Sequence, residues 1–189
     1  MPNPVKPARA EKASGMKSKQ KPKRIYAFDF KPGSLIASKY KVVSRLGTGW
    51  EGEVYKLVER KTGIERAAKF FYPHRNLKNE VAAQYAKKLH KLSNCPIVIK
   101  YHSQEVIPLQ GHQVTCLISE FVEGELLSTF LKRQKGKRIG IFQGLHLLHS
   151  LAAGLESMHR LKEYHGDLHT DNIILSRYGL GFDLKLLDL

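Results

Sequence analysis

The nine residues Tyr164-His165-Gly166-Asp167-Leu168-His169-Thr170-Asp171-Asn172 constrain this chain more than any other stretch. They follow a segment of helical periodicity, Phe142 to Leu161, and precede an apolar strand-like run, Ile173-Ile174-Leu175. A polar loop anchored at both ends by apolar elements holds its side chains in fixed directions. Within it, Asp167 and Asn172 stand five residues apart. The carboxylate can orient a substrate hydroxyl and accept its proton. The amide oxygen suits Mg²⁺, a hard cation that prefers oxygen ligands. Capping by Asp167 is the structural alternative.

A second constraint lies upstream. Gly47, Gly49 and Gly52 occupy the first, third and sixth places of Gly-Thr-Gly-Trp-Glu-Gly, followed by Glu53 and Val54. Backbone without side chains can lie close to phosphate groups. The same spacing occurs in dinucleotide sites, but there it joins a strand to a helix. Here it joins two alternating, strand-like segments, Tyr40–Leu46 and Glu53–Val58. Ile64 to Tyr72 reads as a third strand and carries Ala67-Ala68-Lys69. A lysine flanked by apolar residues needs an anionic partner. Glu80 is the only acidic residue between Glu65 and Glu105 and opens a helix read from Asn76 to Leu92. It is either the partner of Lys69 or a charge placed in the first helical turn by the helix dipole. Asp188, 21 residues after Asp167, ends an apolar strand, Leu184 to Leu189.

The remaining elements complete an α+β pattern. Val81, Tyr85, Leu89 and Leu92 form one face of the first helix. Two strands follow, Ile97 to Val106 and Val114 to Phe121, then a short helix, Leu126 to Lys132. In the segment 142–161, Leu145, Leu148, Leu151, Leu155 and Met158 form the expected apolar stripe. His146 and His149 lack the intervening acid of a metalloprotease helix and read as surface or partly packed residues.

Together these residues, from Tyr40 to Leu189, resemble the protein kinase superfamily in motif order. The resemblance implies a protein-kinase-like α+β fold. An antiparallel five-stranded N-lobe with one helix spans residues 40–122. The first part of a helical C-lobe, with the catalytic loop and the metal-binding strand, spans 123–189. A basic tail, 1–24, and a linker, 25–39, precede them. The implied activity is ATP-dependent phosphotransfer to a hydroxyl, most similar to that of protein serine/threonine kinases. Leu46, Gly47, Gly49, Gly52 and Val54 would cover the nucleotide, and Ala67 and Ile174 would sandwich adenine. Lys69 would hold the α- and β-phosphates, with Glu80 as its anchor. Glu120 and Val122 would be the hinge, beside Ser119. Asp167 would be the catalytic base, His169 would face the transferred phosphate, and Asn172 and Asp188 would bind Mg²⁺.

Three departures qualify the resemblance. Gly166 stands where protein kinases usually carry arginine, and His-Gly-Asp-Leu-His is similar to the loop of aminoglycoside- and choline-type kinases. Leu189 stands where a phenylalanine is usual. The sequence stops there, so the rest of the large lobe would be missing, and Leu145, Leu148 and Leu155 would be partly exposed. A small-molecule kinase and an inactive nucleotide-binding pseudokinase are the alternative readings. A net charge of +15 favours acidic partners. The tail sets Lys6, Arg9, Lys12, Lys17, Lys19, Lys21, Lys23 and Arg24 against Glu11 alone, as a disordered leader or an arm for an acidic partner. No recognition motif supports nucleic-acid binding. No apolar run is long enough for a membrane span, and Cys95 and Cys116 lack metal-site spacing. A cytoplasmic location is the expectation.

Overall fold

The computed structural model describes residues 23–178 and 181–189. The basic tail read over 1–24 lies outside the described residues, except for Lys23 and Arg24. Two antiparallel sheets organise the chain. The first comprises β1 (Leu35–Ile36), β2 (Tyr40–Thr48), β3 (Gly52–Glu59), β4 (Glu65–Phe71), β5 (Tyr101–Leu109) and β6 (His112–Glu120), in the order β1-β2-β3-β4-β6-β5. Helix α1 (Glu80–Lys91) lies between β4 and β5 in sequence. The second sheet has the order β7 (Glu125–Leu126), β8 (Ile173–Tyr178) and β9 (Gly181–Leu186), with α2 (Leu127–Arg133) and α3 (Ile141–Arg160) beside it.

The first sheet places the site through its period of two. Along β4, Ala68 and Phe70 join a buried cluster with Tyr55, Leu57, Cys116 and Ile118. The alternate residues turn to the opposite face, where Phe71 meets Ala82 of α1 and Leu117 of β6. Lys69 belongs to this second face. One alternation therefore buries Ala68 and Phe70 and turns Lys69 toward α1. Gly52 is fixed by packing: a Cβ there would lie 1.8 Å from the carbonyl oxygen of Phe70 on the paired strand.

Residues 25–39, expected as a linker, pack against the first sheet. Ile25, Phe28 and Ile36 are buried in the sheet's outer cluster. Phe28 stacks on Tyr72 and Phe30 tilts against Phe70, so their aromatic area fixes the segment. The segment also supplies β1, a sixth strand beyond the five expected. Beneath it Glu53 is buried, accepting hydrogen bonds from the Tyr55 and Tyr72 hydroxyls and the Phe28 N–H.

The second half forms around one core that joins Leu89 of α1 and Leu92, just after it, to Leu147, Met158, Ile173, Leu175 and Leu186. Gly154 lets α3 approach Ile97, whose Cδ1 would lie 2.4 Å from an added Cβ. Leu147 and Met158 point inward, with Leu151 and Leu155 partly buried. Leu145 and Leu148 are exposed. The buried face runs through residues 147, 151, 154 and 158, spaced four, three and four apart. Ile97–Ile99, expected at the start of a strand, instead is a buried segment preceding β5 that bridges Val98 to Leu186. Among the described residues no helix is long and apolar enough to cross a membrane.

Candidate functional site

Lys69 and Asp188 meet across 119 residues of sequence, with Nζ 3.0 Å from Oδ1. Glu51, from the glycine turn, approaches the same ammonium at 2.7 Å. The Lys69 side chain is 15% exposed, against 41% for Glu51 and 48% for Asp188. Burial alone would lower the lysine pKa. Asp188, Tyr85 and Glu51 outweigh burial and raise it, so Lys69 is charged at neutral pH. Glu80, the sequence candidate for this partnership, is exposed at the start of α1 and forms no ion pair among the described residues. The expected pairing is replaced by Glu51, Asp188 and the Tyr85 ring, whose centre is 4.8 Å from Nζ.

The glycine turn is tied down at several points. The Gly49 N–H donates to the Gly52 carbonyl at 2.8 Å, and the Tyr72 N–H donates to the Glu51 carbonyl at 2.8 Å. Trp50 at the tip is exposed, and Arg75 stacks 3.4 Å from its ring centre. Gly47 and Gly49 have open space where a side chain would be, apart from the Gly52 carbonyl at 4.0 Å. Leu46 is exposed, and Val54, Ala67 and Ile174 are half-buried. At the junction of the two halves, Ser119 is buried, and its hydroxyl lies 3.5 Å from the Ala67 carbonyl and 3.4 Å from that of Glu120. The Glu120 carboxylate accepts from Lys100 N–H and from Lys185 at 2.9 Å. Val122 packs on the core of the second half.

The polar nonapeptide closes around Asn172. The buried Asn172 amide donates to the Asp167 carbonyl at 2.8 Å, and its nitrogen is 3.1 Å from His169 Nε2. His169 Nε2 is 3.5 Å from the Asp167 carboxylate, and its Nδ1 accepts the Asp171 N–H. Asp171 is held from α2 by the Ser128 hydroxyl. Asp167 itself is largely exposed. His165 is buried and its Nδ1 accepts the Asp167 N–H at 3.3 Å; burial lowers its pKa, leaving it neutral at pH 7. The Leu187 N–H donates to the Asn172 carbonyl at 2.9 Å, which ties this loop to the segment bearing Asp188. Asp188 takes a left-handed backbone, φ 50°. The residues read from sequence thus fall into two groups, Lys69 with Asp188 and the loop residues Asp167, His169 and Asn172, joined through Leu187.

The protein kinase domain family model matches residues 40–189. The chain belongs to the protein kinase family. Among the curated relatives are mouse myosin-IIIa (28% identical over 155 residues), mouse serine/threonine-protein kinase Nek11 (27% over 154) and Myxococcus xanthus serine/threonine-protein kinase pkn2 (29% over 161). These alignments cover 79%, 76% and 83% of this chain but only 9%, 23% and 18% of those proteins. The solved PknI kinase domain of Mycobacterium tuberculosis matches with a TM-score of 0.65 at 19% identity, over 84% of this chain and 61% of that one, which shows the shared fold. Within this kinase domain, Glu51 and Tyr85 escaped the sequence reading. Tyr85 was already visible on the apolar face of α1, but its ring reads as core until Lys69 is placed against it.

Proposed function

We propose that this kinase domain is the nucleotide-binding part of an ATP-dependent phosphotransferase that moves the γ-phosphate of ATP to a hydroxyl, as protein serine/threonine kinases do. The observation that carries the reading is the meeting of Lys69 and Asp188 beside the loop of Asp167 and Asn172. A buried lysine charge drawn to two half-exposed carboxylates is a cation ready to exchange one of them for phosphate. Leu46, Gly47, Gly49, Gly52 and Val54 form the roof of the nucleotide cleft in this reading. Ala67 and Ile174 flank adenine, with Glu120 and Val122 as the hinge. Asn172 and Asp188 present oxygen donors from two segments held together by a backbone bond, which suits Mg²⁺. The amide nitrogen of Asn172 is committed to Asp167, leaving the amide oxygen for the metal. When bound, Mg²⁺ neutralises phosphate charge. Asp167 accepts the hydroxyl proton, and His169 lies beside it facing the transferred phosphate. Most of the rate gain then comes from positioning and charge neutralisation. The cytoplasm is the proposed setting, supported by two free, buried cysteines.

A second reading, a small-molecule kinase, draws on Gly166. Its φ of 88° lies in the region that disfavours arginine, so the loop is built for glycine at this place. Labelled ATP offered to a basic protein and to a panel of aminoglycosides and small alcohols separates the two. Transfer to protein alone supports the first reading. Transfer to small alcohols alone supports the second. Mg–ATP binding with no transfer to either makes the domain a nucleotide-binding pseudokinase.

A further inference from the structure

Lys69 faces α1, yet the acid that opens that helix does not reach it. At 3.6 residues per turn, Tyr85 lies about 140° around the helix from Glu80. It shares a face with Val81 and Leu89, and this face packs toward β4 and β6. Val81, Tyr85 and Ala86 contact the cluster of Phe71, Ala82 and Leu117. The Tyr85 ring meets Phe71 edge-on, with centroids 6.4 Å apart. Lys69 Nζ stands 4.8 Å from the centre of the Tyr85 ring and 5.4 Å from that of Phe71. Burial pushes the Tyr85 hydroxyl up to about 12, with the Asp188 carboxylate adding to the rise; Lys69 and the backbone N–H groups of Leu189 and Asp188 oppose it. The hydroxyl is therefore neutral at physiological pH and lies against the backbone that carries the metal-binding candidate.

We propose that Tyr85 is a positioning residue for Lys69: its ring holds the ammonium from α1 in place of a helix carboxylate, and its hydroxyl end abuts the backbone at Asp188. This rests on the nucleotide reading of Lys69 and Asp188. A ring face attracts a cation without carrying net charge. It does not compete with phosphate as a carboxylate does. Lys69 can exchange Glu51 or Asp188 for phosphate and still keep its contact with α1. The ring also links β4, α1 and the Asp188 segment, so movement of α1 shifts the lysine and the aspartate together.

The test reads two quantities on the full chain. One is the rate at which Lys69 reacts with an amine-directed acylating reagent, followed by peptide mass spectrometry; it needs no nucleotide. The other is Mg–ATP affinity by calorimetry. Tyr85→Leu should speed labelling and weaken Mg–ATP binding, each about tenfold, whereas Tyr85→Phe should keep both within about twofold of the parent. Mono-, di- and trifluorinated phenylalanine at position 85 barely change volume but weaken the negative ring face. Along that series labelling should rise stepwise. A flat series, or a folded Tyr85→Leu protein labelled at the parent rate, overturns the proposal. If Tyr85→Leu does not fold, the fluorinated series decides the question by itself. A stepwise series in a protein that binds no Mg–ATP supports the ring contact and overturns the nucleotide reading alone.

Discussion

Glu51→Gln removes one of the two carboxylates that hold Lys69 and should tighten Mg–ATP binding. Glu51 is 2.7 Å from the ammonium, in a direction that a phosphate oxygen would take on the proposed reading. Two unit charges about 4 Å apart attract by about 4 kcal/mol at an effective dielectric of 20. Glu51 is 41% exposed, so water and salt reduce its share to about 1 kcal/mol. On the proposed reading the nucleotide breaks that contact to reach Lys69. Removing the contact beforehand should lower the dissociation constant about fivefold. Calorimetric titration with Mg²⁺ and a non-hydrolysable ATP analogue, at low and at physiological salt, reads the effect. The gain should shrink as salt rises, because the contact is half-exposed. Unchanged or weaker binding in Glu51→Gln would show that Glu51 shapes the site and is not displaced from it.

Other outcomes follow from the same geometry. Asp167→Ala should abolish phosphate transfer while leaving ATP affinity within about twofold, since the side chain is exposed and Lys69 is untouched; a transfer assay beside a binding titration checks it. Gly52→Ala drives a methyl into the Phe70 carbonyl and should cost about 3 kcal/mol, near the upper end for overpacking. For a chain of this size the melting temperature should fall by roughly 6–12 °C. Tyr55, Tyr72 and Tyr85 are all pushed by burial to about 12 from the usual 10. Each contributes stability that is intact below pH 10 and is lost as pH rises toward 12, where only the unfolded chain ionises readily. Denaturant midpoints should therefore fall steeply across that window, and a midpoint independent of pH between 10 and 12 would contradict the buried placement of these rings.

Much of the site was legible because its residue types and spacings are tied to chemistry. The glycine turn between two strands, the lysine on the third strand and the Asp167-to-Asn172 loop all fall where alternation and periodicity placed them. What escaped was set by tertiary contact. Glu80, the only acid in its stretch of chain, read equally as the partner of Lys69 or as a first-turn helix charge. Helical geometry turns it outward and brings in Tyr85. Glu51 comes from a turn folded back along β4, which no count along α1 could find. Residues 25–39 lack strong periodicity, yet Phe28 and Phe30 bury their rings on the sheet. On α3, five apolar residues at plausible spacing concealed which face was inward, and Gly154 against Ile97 decided it.

The central claim is that Lys69 and Asp188 together receive Mg–ATP. Titrating the chain with ATP in the presence and absence of Mg²⁺, alongside Lys69→Met and Asp188→Ala, tests it most directly. The expected result is binding strengthened by Mg²⁺, with both substitutions weakening it and Asp188→Ala removing the Mg²⁺ dependence. Binding that ignores Mg²⁺ and survives both substitutions, or no binding by the folded parent, would contradict it.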